Sequence, residues 1–169
     1  KQQAATVIWL NEFSSFANLT FTELDGADGA LDEDQEAVLR FANSDDPGTA
    51  YAYYPSNNAV GGDSWYGSAY DNNLSLSYKD PDRGEYGDIT IGHEIGHALG
   101  LSHPHDAVGA FSTVPSDWDG MEFSIMSYNS YIGQDGGGYA NGTGSYAITP
   151  MMLDIAAIQF MYGADWTHN

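Results

Sequence analysis

The stretch IGHEIGHALGLSHPHD, residues 91–106, holds four of the chain's five histidines. His93 and His97 are four residues apart, so on a helix they lie about 40° apart around the axis and about 6 Å along it, facing one way. Continued as helix, the chain would carry His103 about 15 Å along and about 280° around from His93, out of reach of an ion the first two could share. The helix must therefore stop. Gly100 stands where the stop is needed, because glycine enters the left-handed conformation without steric penalty and lets the chain fold back beneath the metal. His103 then becomes a third ligand. Three neutral nitrogens at about 2.0–2.1 Å leave a tetrahedral zinc ion one open position for water, which is the arrangement of a catalytic site. Glu94, beside His93, projects next to that position rather than onto the metal, as a general base must. Paired histidines arise by chance on ordinary helices; the third histidine, the glutamate and the glycine together make the pattern specific. His105, two residues further and beside Asp106, reads as a loop residue rather than a ligand, and His168 reads as tail.

Composition narrows the setting. With 169 residues, the chain suits a single domain, 1–169, with a sizeable core. Four Lys and Arg against 24 Asp and Glu give a formal charge of −20, which disfavours nucleic acid and anionic membrane, both of which attract basic patches. No apolar run approaches a membrane span, and the start KQQAATVIWLNEF lacks the pattern of a signal peptide, so a mature, soluble chain is expected. The absence of cysteine excludes disulfides and thiolate metal sites, leaving imidazole and carboxylate as metal ligands.

The apolar period of residues 3–17 predicts an amphipathic helix. LTFTEL, residues 19–24, alternates as a half-buried strand does; AVLRFA, residues 37–42, TAYAYYP, residues 49–55, and Asp63 to Tyr66 read as further strands. The intervening DGADGALDEDQE is a loop. Residues 88–100 read as a helix, and TPMMLDIAAIQFMYG as another, with Thr149 as N-cap, Pro150 at its first position and Gly163 past its end. GQDGGGYANGTG, residues 133–144, is too polar and Gly-rich for core. Strands clustered early and helices at both ends predict an α/β layer fold, helices packed on one twisted sheet.

HEIGHALGLSH resembles the metzincin zinc signature HExxHxxGxxH, and SIMSY, residues 124–128, resembles the methionine turn that metzincins place under the metal. Pro104 after the third histidine resembles the serralysins, secreted bacterial proteases. TPMMLDIAAIQFMYGA is similar to their last catalytic-domain helix, and TAYAYYPSNNAVGGDSWYG to their edge strand and the loop after it. The resemblance covers residues 37 to 165, more weakly the first helix. It implies the metzincin fold: a mainly parallel five-stranded sheet with an antiparallel edge strand, three main helices, and a cleft between upper and lower subdomains. It further implies His93, His97 and His103 as zinc ligands, Glu94 as base and Met126 as the apolar floor. Tyr128 is implied as a fifth ligand that swings away to stabilise the oxyanion.

The edge strand Thr49, Ala50, Tyr51, Ala52 and Tyr53 is expected to take up extended substrate by backbone hydrogen bonds, hence broad specificity, with protein and peptide substrates and a proteinaceous inhibitor as partners of a secreted monomer. Segment 133–144 reads either as a wall of the primed-side cleft or as a surface loop. Asp154 is expected to anchor the methionine turn, while Leu153 stands where the family often has a second acid, so that acid's ion pair is not expected. GGDS, residues 61–64, resembles a calcium loop of the matrixins, yet one carboxylate makes a poor cage for Ca2+. The calcium-binding repeat domain that usually follows in serralysins is not found within these residues. Two other readings stay open: a matrixin-like processing protease of narrow specificity, and a non-catalytic peptide-binding relative.

Overall fold

The computed structural model describes residues 1–24, 37–73, 75–134 and 137–167. In chain order these residues form α1 (Gln2–Ser14), β1 (Arg40–Ser44), β2 (Ala50–Ala52), β3 (Asp63–Gly67), α2 (Tyr86–Ala98) and α3 (Met152–Tyr162), with short 3-10 turns at Ser68–Tyr70 and Ser116–Trp118. Three helices with a mixed sheet make this an α/β domain.

Helix α2 is buried from Gly87 through Ala98, so it must be covered on every side. Two glycines make the closest approaches possible. A Cβ on Gly92 would stand 2.5 Å from the indole of Trp9 on α1, and one on Gly96 would stand 2.5 Å from Sδ of Met126. Trp9 is fully buried, and its Nε1 donates to Asp88 Oδ1 at 3.1 Å. Asp88 also faces Arg83 at 3.3 Å and accepts from the Gly84 amide at 3.2 Å, so this first-turn carboxylate is both paired and placed at the positive end of the helix. Ile89, Ile91 and Ile95 fill the core with Phe13, Tyr66, Tyr78, Ile125 and Ile158.

The sheet order is β1-β3-β2, parallel between β1 and β3 and antiparallel between β3 and β2. The antiparallel edge strand is thus present, but among the described residues the sheet has three strands rather than five. Leu19 to Leu24 form no strand. Leu19 and Phe21 pack on the core, but a period of two only sorts side chains between faces, and a strand also needs a neighbour. The chain leaving α1 makes instead an isolated bridge, Ala17 to Ala164, beside the end of α3. The expected loop at 25–36 and His168 lie outside the described residues.

Strand β1 begins at Arg40, three residues later than the 37–42 pattern predicts. Its register, Arg40 opposite Asp63, coincides with a two-pronged ion pair at 2.6 and 2.7 Å between those residues. The same pairing engages both oxygens of Asp63, the one carboxylate of the 61–64 stretch, which resembles a calcium loop but is not expected to hold Ca2+. Helix α3 starts two residues after Pro150, with Met151 at the N-cap and Asp154 reaching back to the Met151 amide at 2.8 Å; Gly163 ends it at φ 87°. Asp154 outcompetes Thr149 as the capping group because its carboxylate also binds the Ile125 amide of a second segment.

Candidate active site

The active-site helix ends in a Schellman turn. Leu101 N donates to Gly96 O and Gly100 N to His97 O, both at 2.9 Å, and Gly100 sits at φ 104°. This reversal brings His103 back under α2, as its spacing requires. His103 Nε2 lies 3.3 Å from His93 Nε2 and 3.1 Å from His97 Nε2.

Each ring's other nitrogen is committed. His93 Nδ1 is 2.9 Å from Ile125 O, His97 Nδ1 2.8 Å from Leu101 O, and His103 Nδ1 2.8 Å from Asp106 Oδ2. Carbonyl and carboxylate oxygens only accept, so the three Nδ1 atoms carry the protons and the three Nε2 atoms point lone pairs at one another. Three facing acceptors repel unless a cation lies between them. Their separations match the edge of a tetrahedron around an ion held at about 2.0–2.1 Å, which is about 3.3–3.4 Å. The residues therefore fit a metal ion. Burial holds the imidazoles neutral, as ligands must be: burial and then the neighbouring His97 imidazole lower His93 to about 3, and burial lowers His97 to about 4.

Glu94 is buried beside His93, and its Oε2 has no hydrogen-bond partner. Burial alone raises its pKa to about 8 from 4.5, before any cation's charge is counted. A pKa raised in the folded chain means that the unfolded chain ionises first, so stability falls as pH rises from about 4.5 through about 8. Glu94→Gln removes this loss. In the chelator-treated chain, the variant is expected to be more stable than wild type at pH 9, with the gap closing toward pH 5. Denaturant melts at the two pH values measure it; an equal gap at both would contradict the buried, unpaired carboxylate.

Met126 is buried under the site, its sulfur against Gly96 between the turns that carry His93 and His97. The methionine turn is held by Asp154, which accepts from Ser124 Oγ at 2.6 Å, Ile125 N at 2.9 Å and Met151 N at 2.8 Å. Ile125 therefore gives its N–H to Asp154 and its carbonyl to His93. Tyr128, just past the turn, places its ring 4.5 Å from that of His103 and 5.7 Å from that of His93, nearly parallel to the latter. Its hydroxyl is pushed up by burial and by Glu94.

On the far side of Glu94 a cavity of about 490 Å³ opens, lined by Thr49, Tyr70, Tyr86, Thr90, Tyr128 and Tyr139 among others. Strand β2 borders it through Thr49 and Ala50. Thr49 O and Tyr53 N and O are bonded to β3 and to Gly62 before it, so by alternation the backbone groups of Ala50 and Ala52 face the open edge. The Gly-rich segment contributes Gly138 and Tyr139 to the wall, and Tyr139 packs on the core, which the segment's polarity concealed.

The structure thus brings together His93, His97, His103, Glu94, Met126 and Tyr128, with Thr49 to Tyr53 along one side. Sequence reasoning missed the partners of the imidazoles. Two are backbone carbonyls, which any residue could supply; Asp106, three residues after His103, was the only one with a side-chain signal. It also missed Tyr54, edge-on to His97 at 5.5 Å, and the ring contacts of His105, which lies in a turn as expected. The His105 ring is parallel to that of His103 at 5.1 Å and lies 5.1 Å from that of Tyr128.

Such a histidine triad on a buried helix, closed by a glycine turn over a methionine turn, is a metallopeptidase arrangement. The chain belongs to the family described as Metallo-peptidase family M12B Reprolysin-like, which it matches over residues 3–156. Within that class it is a serralysin-like metzincin catalytic domain. It is 41% identical over 164 residues to Serralysin C of Dickeya chrysanthemi, covering 94% of this chain and 32% of that protein. It is 40% identical to Serralysin A of the same organism over 98% of this chain and 34% of that protein. To Metallopeptidase AprA of Pseudomonas marginalis it is 35% identical, over 98% of this chain and 35% of that protein. The chain spans about a third of the length of these relatives. The family implies a catalytic metal, and His93, His97 and His103 fit one. Among the described residues, no helix is long and apolar enough to cross a membrane.

Proposed function

We propose that this chain is the catalytic domain of a secreted zinc endopeptidase that hydrolyses protein substrates with broad specificity. The observation that carries the reading is the convergence of three imidazole Nε2 atoms beside the unpartnered carboxylate of Glu94, at the edge of an open cleft. Three imidazoles suit zinc, and among the described residues no fourth histidine or carboxylate lies within reach of all three, His105 and Asp106 grouping with His103 alone. That favours catalysis over a structural clamp, which fills all four positions with protein ligands. When bound, zinc supplies Lewis acidity at the scissile carbonyl and makes water nucleophilic near neutral pH.

The chain's own residues do the rest. His93, His97 and His103 hold the ion. Glu94 takes the proton of the attacking water and delivers it to the leaving amine. Tyr128 donates its hydroxyl hydrogen to the developing oxyanion and also serves as a metal ligand in the resting site. Met126 is the apolar floor that keeps the helix and turn in contact. Substrate enters extended along β2, bonding to the free backbone groups of Ala50 and Ala52; main-chain recognition is blind to side chains, which accounts for breadth. The tyrosine-walled cavity receives the side chain on the primed side of the scissile bond.

Casein hydrolysis by the 169-residue chain tests the proposal. Activity is expected to disappear with a chelator and return with stoichiometric zinc. Hydrolysis that survives chelation would overturn it, and a cleavage profile confined to one sequence motif would replace broad specificity with a processing role.

A further inference from the structure

His105 lies outside the three-histidine site, yet the structure ties it to Tyr128 from two directions. Its ring lies 5.1 Å from the Tyr128 ring at 50°, and parallel to His103 at the same distance. On its other side, Nδ1 is 3.7 Å from Asp119 Oδ2. Asp119 in turn holds both chain neighbours of Tyr128. Its Oδ1 accepts from Ser127 Oγ at 2.6 Å, and its carbonyl accepts from Asn129 Nδ2 at 3.2 Å. Asn129 is fixed again by its carbonyl, which accepts from Met121 N at 2.8 Å. The side chains on each side of Tyr128 are therefore held by one residue, and that residue also faces the imidazole that flanks the Tyr128 ring. Tyr128 itself is 43% exposed, so cleft residues rather than core packing must set where its ring rests.

We propose that His105, braced by Asp119, is a positioning residue for Tyr128: it forms one side of the slot in which the phenol sits and from which it reaches the reaction's oxyanion. The inference rests on the reading of Tyr128 as the oxyanion donor. A side chain whose donor must meet a transient charge gains from being held close to its working geometry, and misplacement by about 1 Å can cost about 100-fold in rate.

The test is a double-mutant cycle in the zinc-loaded chain. His105→Ala is expected to lower kcat about tenfold, within that range, with KM and zinc content unchanged. His105→Phe, which keeps a ring in the slot, is expected to restore most of the loss. In a Tyr128→Phe background, His105→Ala should cost nothing further, because there is no donor left to position. A readout independent of turnover comes from the metal-free chain carrying labelled tyrosine: His105→Ala should move and broaden the Tyr128 ring resonances while leaving those of Tyr66 and Tyr78 in place. Equal losses from His105→Ala with and without the Tyr128 hydroxyl would overturn the inference while leaving Tyr128 as oxyanion donor. Wild-type turnover by Tyr128→Phe would instead remove the reading on which it stands.

Discussion

Glu94→Gln is expected to lower turnover by about 10²- to 10⁴-fold while the protein keeps its full complement of zinc. The substitution changes little but the ability to accept a proton. Gln has the same length and branching, and the three Nε2 atoms are fixed through Nδ1 bonds to Ile125, Leu101 and Asp106, none of which involves Glu94. The Glu94 carboxylate is buried with one oxygen unpartnered, so it holds no local structure that its loss would disturb. The same substitution that removes activity is expected to stabilise the metal-free chain at alkaline pH, since a buried charge without a partner opposes folding. Opposite signs for activity and stability mark a residue kept for chemistry. Zinc analysis together with casein turnover checks the prediction. Normal turnover would remove Glu94 as the base, and loss of zinc would make the rate uninformative about the base and point instead to Glu94 as a determinant of metal affinity.

Much of this site was legible because its ligands obey a local rule. The four-residue step from His93 to His97 is helix geometry, and the glycine three residues before His103 is the reversal that a third ligand demands; both are decided within eleven residues of chain. The Asp154 anchor, which ties residues 29 apart, came from the family resemblance rather than from local geometry. Other features set by distant chain segments were not legible. The register of β1 follows Arg40 meeting Asp63, 23 residues away, and a sequence window around AVLRFA cannot see that partner. Gly92 and Gly96 look like poor helix residues until Trp9 and Met126 are placed against them. The carbonyls of Ile125 and Leu101 leave no trace in residue type at all. His105 looked incidental because its role depends on Asp119 and Tyr128, 14 and 23 residues further on.

The second large effect concerns the link between the last helix and the metal site. Asp154→Ala is expected to destabilise the chain by about 3–5 kcal/mol, because it removes at once the acceptor of the buried Ile125 amide, of the part-buried Met151 amide and of the buried Ser124 hydroxyl. The damage should reach the site through one residue: Ile125, whose amide Asp154 holds, supplies the carbonyl that orients His93. Zinc affinity is therefore expected to fall with stability, in the range of about 10- to 100-fold typical of an imidazole that loses its outer partner. Asp154→Asn separates acceptor geometry from charge. Its amide oxygen can accept from both backbone amides, and its NH₂ can donate to Ser124 Oγ. Burial already pushes the Asp154 carboxyl up to about 6, so the site disfavours the charge it carries at neutral pH. The Asn variant should thus retain most of the stability and zinc affinity that the Ala variant loses. Denaturant unfolding and zinc titration on both variants decide the matter: equal losses would mean that the negative charge itself holds the methionine turn, and unchanged zinc affinity in the Ala variant would sever the proposed path from Asp154 through Ile125 to His93.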